Sequence, residues 1–249
     1  MLRFFISILV LLCCTLGIAQ SEPIDLQQKD TVKQKEAYGL RVGVDLSRPV
    51  LSFTNDDYTG IEFVGDYRLT QKIWLAAELG NEKRTDQEDL YNFTTSGSYL
   101  KLGVDYNTYE NWYGMNNTIT FGGRYAFSSF SQTLNNYQIF DSDRYFSPDG
   151  FATGSTTAEE FTGRNASWIE MVGGMKAELF ANIYLGLSIR LAHLITQNDK
   201  NLERFPNLWI PGFNKVTDNA KWGVGFNYSI SYFIPLYKKA KKKTEKDLE

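Results

Sequence analysis

The chain has almost no cysteine or histidine, and this restricts the chemistry available to it. Its two cysteines, Cys13 and Cys14, are adjacent, and His193 is the only histidine among 249 residues. Both cysteines fall in a segment that we predict to be removed, so no disulfide framework, zinc thiolate site or thiol nucleophile is expected. Proline is also scarce, with 6 residues, whereas 15 tyrosines, 17 phenylalanines and 20 glycines favour β-structure.

The chain also lacks a strong excess of either charge. Its 26 lysines and arginines nearly balance 29 aspartates and glutamates, and the net charge of -3 gives no reason to expect a nucleic-acid partner. The sequence Asp141-Ser142-Asp143 begins like a calcium loop, but Phe146 occupies the position where such loops need glycine. We therefore expect no metal and no cofactor, with a cation held by Asp141, Asp143 and Asp149 as the alternative.

Long hydrophobic runs are missing after the first twenty residues. Phe4 to Leu16 is apolar, follows Arg3 and precedes the small residues of Gly17-Ile18-Ala19, which predicts a signal peptide over 1–19. No later stretch approaches 18 apolar residues, so no transmembrane helix is predicted. The mean hydropathy of -0.33 is nevertheless compatible with a membrane barrel, because its strands alternate apolar and polar residues.

An alternation of period two begins at Tyr38, after a polar segment over 20–37 that we predict to be a flexible periplasmic leader. Val42 and Val44, for example, alternate with Arg41, Gly43 and Asp45. Each such run has the eight to twelve residues that a tilted strand needs to cross a bilayer. The predicted strands are 40–47, 61–69, 73–80, 99–106, 118–127, 169–179, 183–192 and 221–232.

The spacers between these runs are alternately short and long. Those after the second, fourth and sixth runs are the shorter ones, as expected for periplasmic turns when both chain ends lie in the periplasm. The predicted fold is all-β, an eight-stranded antiparallel up-and-down transmembrane β-barrel with short periplasmic turns and long outer loops. It would occupy residues 38–235, and residues 236–249 would form a basic periplasmic tail.

The polar side of the runs carries seven cations and seven anions, which predicts a narrow lumen plugged by paired charges. An isolated charge in such a lumen would be very unfavourable, so mutual pairing is required. The predicted lumen charge network comprises Arg41, Asp45, Glu62, Asp66, Arg68, Glu78, Lys101, Asp105, Arg124, Glu170, Lys176, Glu178, Arg190 and Lys221.

Two other protein classes fit parts of the same pattern. A soluble periplasmic β-barrel that binds a ligand would also alternate, but it would place its apolar residues inside. An envelope lipid-modifying enzyme would use His193 as a base, although the nearest hydroxyl along the chain, Thr196, is a hindered nucleophile. We predict no catalytic residues.

The long outer loops are the expected place of function, because loops of this length are often functional. They are predicted over 81–98 and 128–168, and their contact candidates are Tyr137, Phe140, Tyr145 and Phe146. The expected role is that of a structural or adhesion protein of the outer membrane. Its expected partners are outer-membrane lipids and an extracellular ligand or protein that contacts the outer loops.

Four segments carry a resemblance to a known group of proteins. They are GIAQ at 17–20, GLRVGVDLSRP at 39–49, GIEFVGDYRL at 60–69 and FIPLYKK at 233–239. With these segments the chain resembles uncharacterised small outer-membrane β-barrel proteins of Bacteroidota. The resemblance implies the outer membrane and no known activity. The chain departs from the group after Phe233, because outer-membrane barrels commonly end at an aromatic residue of the last strand.

Overall fold

The computed structural model describes residues 35–109, 116–140, 151–198, 205–215 and 221–240. The predicted signal peptide lies outside these residues, as do the predicted cation ligands Asp141, Asp143 and Asp149. No helix among the described residues is long and apolar enough to cross a membrane.

Eight antiparallel strands form a closed ring. Each pairs with its neighbour along the chain, and the last strand pairs with the first. The ring strands are β1 (Lys35–Asp45), β2 (Tyr58–Arg68), β3 (Ile73–Gln87), β4 (Tyr91–Asn107), β5 (Thr118–Phe140), β7 (Glu159–Phe180), β8 (Ile183–Asn198) and β11 (Trp222–Ala240). The predicted eight-stranded antiparallel up-and-down barrel is confirmed.

We call the end where β1 begins and β11 ends the basal end, and the opposite end the apical end. Two of the basal connections are short, 69–72 after β2 and 181–182 after β7, and the third, after β4, spans 108–117. Apical connections contain the remaining elements, which are α1 (Ser47–Thr54), the short strand β6 (Phe151–Ser155) beside β5, and a small hairpin of β9 (Trp209–Ile210) and β10 (Asn214–Lys215).

The ring is strongly staggered. A row of paired residues that starts at Tyr232 on β11 and passes through all the other strands returns to β11 at Trp222, ten residues away. A stagger of this size tilts the strands, and a barrel of eight strands encloses only enough space for side chains. The fold therefore provides a narrow interior that its own residues can fill.

Side chains alternate between this interior and an apolar outer surface. Leu102 is 53% exposed and Val224 65%, whereas Arg124 and Glu170 retain only 6% and 3%. This distribution is the reverse of the apolar interior that the soluble-barrel alternative requires. The outer surface, which we call the belt, includes Leu75, Leu79, Leu100, Leu102, Val104, Ile119, Phe121, Met171, Met175, Leu187, Ile189, Leu191, Val224, Phe226 and Ile230.

Several strands continue beyond the predicted boundaries. The predicted loop over 81–98 is wrong, because β3 and β4 run through it and leave only Glu88–Leu90 between them. Most of 128–168 is likewise strand, in β5 and β7. The outward-facing residues of these extended parts are polar. On β4 the next outward position beyond Leu100 is Ser98, and on β5 the next beyond Phe127 is Ser129. This loss of apolar alternation explains why sequence periodicity missed them.

The ring also reaches further at its basal end than predicted. β1 begins at Lys35, within the predicted leader, and β11 continues to Ala240, within the predicted tail. The two strands pair over this stretch, and Tyr38 stacks on Tyr237 with ring centroids 5.5 Å apart. Strand pairing here does not depend on apolar alternation, so the pattern ended before the strands did.

Candidate functional site

The lumen is closed at its basal end by aromatic side chains and a cation. Trp74, Tyr184 and Phe233 form a buried cluster, and Arg41 lies over Trp74 with its guanidinium carbon 4.1 Å from the ring centroid. Arg41 also donates from Nε to Asp66 over 2.6 Å. The Arg41 charge is therefore balanced by a carboxylate and stabilised by an aromatic face.

At mid-height the lumen is filled by ion pairs. Arg190 contacts three carboxylates: Glu78, Glu170 at 3.4 Å and Glu62 at 3.9 Å. A buried cation with this many anionic neighbours compensates them together, so loss of Arg190 would leave three buried carboxylates with less positive charge beside them.

Two further cations complete this level. Arg124 donates to both oxygens of Asp105, over 2.7 and 2.8 Å, and to Glu78 over 3.3 Å. Lys101 lies 3.0 Å from Glu170. Bidentate arginine–carboxylate contacts are strong and geometrically specific, and they fix the strands that carry them at one relative height.

Most of the predicted lumen charges are enclosed. Eleven are buried: Arg41, Asp45, Glu62, Asp66, Arg68, Glu78, Lys101, Asp105, Arg124, Glu170 and Arg190. Lys176 and Glu178 are half-buried, and Lys176 pairs with Asp66. Lys221 is exposed, so its predicted place in the lumen is wrong. It precedes the first residue of β11 and lies at the apical rim.

The apical end is closed by a segment of backbone that folds inward. We call residues Phe205–Phe213 the plug. Its Phe205 packs against Phe161 with ring centroids 5.3 Å apart, and its Phe213 packs edge-on to Trp168 with ring centroids 5.6 Å apart. The plug was not predicted, because its sequence has no alternation and only its contacts with the barrel give it a place.

Polar side chains of the barrel wall hold the plug by its backbone. Arg164 donates to the Phe205 carbonyl over 2.8 Å and to the Asn207 side chain over 2.9 Å. Glu82 accepts a 2.7 Å bond from the Gly212 amide. Gly212 has φ +80, and a Cβ there would lie 2.5 Å from the Tyr99 ring, so the position requires glycine.

A cavity of about 600 Å³ remains beside the plug. It lies between α1, the plug and the edge of β11, whose residues 223–228 line it consecutively. Its volume is within the range of small-molecule sites. The cavity is lined by both apolar and charged residues, which include Val50, Leu51, Phe213, Arg48, Arg84 and Arg190.

Arg48 connects α1 to the lumen. The helix begins after Asp45, which accepts a 2.9 Å bond from the Ser47 amide, and Arg48 donates to Glu82 over 3.0 Å. Arg48 and Glu82 were missed by sequence analysis, because both fall in segments predicted to be outer loop or strand end.

The predicted outer contacts are only partly described. Tyr137 lies in β5 and packs, half-buried, against the cluster that contains Phe93 and Trp209. Phe140 is the last residue of β5, while Tyr145 and Phe146 lie outside the described residues.

The residues of the enzyme alternative are not assembled in the part of the chain that the structure describes. His193 packs against Trp222 with ring centroids 4.4 Å apart, and its Nδ1 has no hydrogen-bond partner among these residues. The Thr196 hydroxyl lies 2.6 Å from that of Ser167. The described residues also contain no cluster of three histidines, cysteines or carboxylates that could hold a metal.

The crystal structure of Acinetobacter baumannii CarO2 is similar, with a TM-score of 0.38 and 12% identity, over 81% of this chain and 100% of that chain. No curated protein matches the chain. The Bacteroidota origin stays a prediction. A family model matches residues 1–239, and the chain belongs to that family, which is described as a domain of unknown function (DUF6048).

Proposed function

We propose that this protein is an outer-membrane barrel, closed to diffusion, that presents a contact surface outside the cell. The observation that carries the proposal is the apical continuation of β3, β4, β5 and β7 above the belt, which we call the extension. A barrel that serves only as a membrane anchor has no need of strands this long.

The belt supports the membrane placement. On β5 the apolar outward positions run from Ile119 to Phe127, which matches the nine to eleven residues of a membrane-spanning strand. Above them Ser129 faces outward, as Ser98 does on β4. A surface that changes from apolar to polar at one height on adjacent strands is typical of a bilayer boundary.

The three filled levels of the lumen support closure. Aromatic residues at the base, ion pairs in the middle and the plug at the apex occupy the lumen at three heights among the described residues. Ion pairs of mixed sign also give no selectivity for one charge. An interaction role for the extension, with an extracellular ligand or protein as partner, therefore fits better than transport through the lumen.

Labelling of single cysteines in intact cells tests the placement. Ser129→Cys, on the outer face of the extension, is expected to react with a membrane-impermeant maleimide on whole cells. Lys238→Cys, at the basal end of β11, is the control and should react only after the outer membrane is permeabilised. The unmodified chain gives the background, because its two cysteines lie in the predicted signal peptide. Labelling of Lys238→Cys alone on intact cells would contradict the proposal.

A further inference from the structure

The barrel wall is incomplete in its apical half between β11 and β2. β1 pairs with β11 only from Asp45 opposite Ser229 downward, and with β2 only from Val44 opposite Phe63 downward. Above this level the Leu46 amide still donates to the Tyr228 carbonyl over 2.6 Å, but the described residues include no strand that pairs with 222–227 on the β1 side. The edges of β11 and β2 therefore face each other across a gap, which the cavity adjoins.

The gap lies at the height of the belt. Val224 pairs with Leu191 and Phe226 with Ile189, and all four side chains are exposed on the apolar outer surface. An open strand edge in hydrocarbon is very unfavourable, because lipid offers no hydrogen-bond partner to the backbone. Something must cover this edge in a membrane.

α1 covers the gap only in part. Ser52 of α1 accepts a 2.9 Å hydrogen bond from the Gly60 amide of β2. Beside the helix, Asn214 of β10 donates to the Val224 carbonyl of β11 over 3.3 Å. Phe53 of the helix does not line the cavity and is 89% exposed, whereas Val50 lines the cavity and is 58% exposed. An eight-residue helix with such exposed residues is suited to contact acyl chains.

The cavity offers cations to an occupant. Of its charged lining residues, Arg48 and Arg84 keep 20% and 28% of their side chains exposed, whereas Glu82 and Glu170 keep 1% and 2%. Arg84 also stacks over Trp209 at 4.0 Å, which fixes the guanidinium at the wall of the cavity. Arg84 also pairs with Asp86 over 2.8 Å, but Asp86, with 21% of its side chain exposed, does not line the cavity. Among the charged residues that do line the cavity, the accessible charge is therefore positive.

We propose that the cavity binds a single-chain amphiphile with an anionic oxygen head, which enters sideways from the outer leaflet through the gap between β2 and β11. The head lies near Arg48 and Arg84, and the acyl chain follows the β11 edge past α1. This inference rests on the membrane placement proposed above. A carboxylate and a phosphate monoester share the required head chemistry.

Filling the cavity tests the binding site. Gly225 lines the cavity, and a Cβ there meets nothing within 4 Å, so Gly225→Phe places a ring in the empty space. Gly173 is equally open but lies on the lipid-facing side of β7, which makes Gly173→Phe the matched control. The probe is a dansyl-labelled undecanoic acid, titrated against the purified full chain in non-ionic detergent, with empty micelles subtracted.

Gly225→Phe is expected to weaken binding of this probe by at least about tenfold, which corresponds to about 1.4 kcal/mol, and Gly173→Phe to leave it unchanged. Each variant is first checked for the faster migration of an unboiled closed barrel on a detergent gel. Equal affinity of a folded Gly225→Phe and the unmodified protein would overturn the proposal. If Gly225→Phe does not fold, the head-group experiments described next test whether the cavity binds an anionic amphiphile.

The head group is tested by competition on the unmodified protein. Myristate and tetradecyl phosphate are expected to displace the probe better than tetradecanol, and tetradecyltrimethylammonium to displace it least. A preference between the first two identifies the carboxylate or the phosphate as the natural head. Equal or stronger displacement by the cationic amphiphile overturns the proposal.

A charge-matched pair of variants locates the head. Arg84→Gln should weaken binding of the anionic probe by about fivefold and leave competition by tetradecanol unchanged. Lys83→Gln removes the same charge from the exposed outer face of the same strand and should have no effect. Because these measurements use detergent-purified protein, they succeed or fail independently of the labelling result on cells.

Discussion

Replacing Arg190 with methionine is expected to lower the free energy of unfolding by about 3–5 kcal/mol. The side chain is buried and contacts Glu62, Glu78 and Glu170, which come from three other strands of the ring. Methionine keeps an unbranched apolar stem but has no charge, so the three carboxylates lose their shared counter-ion. The measurement is equilibrium unfolding in urea, of the detergent-folded protein, followed by the gel shift of the closed barrel.

Lys176→Met is the control for this experiment. Lys176 is also a lumen cation on a ring strand, but it keeps 22% of its side chain exposed, and within the described part of the chain it forms an ion pair with Asp66 alone. Asp66 retains Arg41 at 2.6 Å after the change. We expect a loss below about 1 kcal/mol, as for exposed pairs. Similar losses in the two variants would show that the mid-height ion pairs do not depend on Arg190.

Gly212→Val is expected to displace the plug while the ring remains closed. Valine at φ +80 costs about 1–2 kcal/mol in backbone strain. Its Cβ would also lie 2.5 Å from the Tyr99 ring, and such overpacking costs about 1–3 kcal/mol. The plug is held by apolar packing and hydrogen bonds but is not a strand of the ring, so this penalty favours its release over unfolding of the barrel.

Reactivity of a buried cysteine reports the release. Thr95 is fully buried on the inner face of β4 and bonds to Gln132, whose side chain accepts a bond from Leu208 of the plug. In a Thr95→Cys background, Gly212→Val should raise the rate of maleimide labelling at least about tenfold, as expected for a local opening favoured by 1.4 kcal/mol.

Gly163→Val is the control that separates the effect of backbone strain from the effect of displacing the plug. Gly163 also has a positive φ, +73, but a Cβ there meets nothing within 4 Å. This variant carries the backbone penalty without the contact to Tyr99 and should leave Thr95→Cys unreactive. Rapid labelling in both variants would mean that strain in the apical strands, and not the seat of the plug, controls access to the lumen.

The residues of the ring could be predicted where burial alternates along one strand. Successive residues of a strand point to opposite faces, so Val42 is outward and Arg41 inward. In the same way Leu102 is outward and Lys101 inward. The rule failed at Glu82 and Arg164, which are both buried, because they lie in the extension, where outward residues are polar and the contrast disappears. Alternation along the strand also failed for Lys221. This residue precedes β11, so no neighbouring strand encloses it in the lumen.

The sequence by itself determined the number of strands, the direction of their side chains and the balance of charge inside, because these depend only on period two and on the cost of unpaired charge. It did not determine the plug or the gap beside α1. Both arise from contacts between distant segments, such as Gly212 with Glu82 and Ser52 with Gly60. Only closure and stagger of the ring bring these segments together, so the tertiary structure alone decided where the protein has space for a ligand.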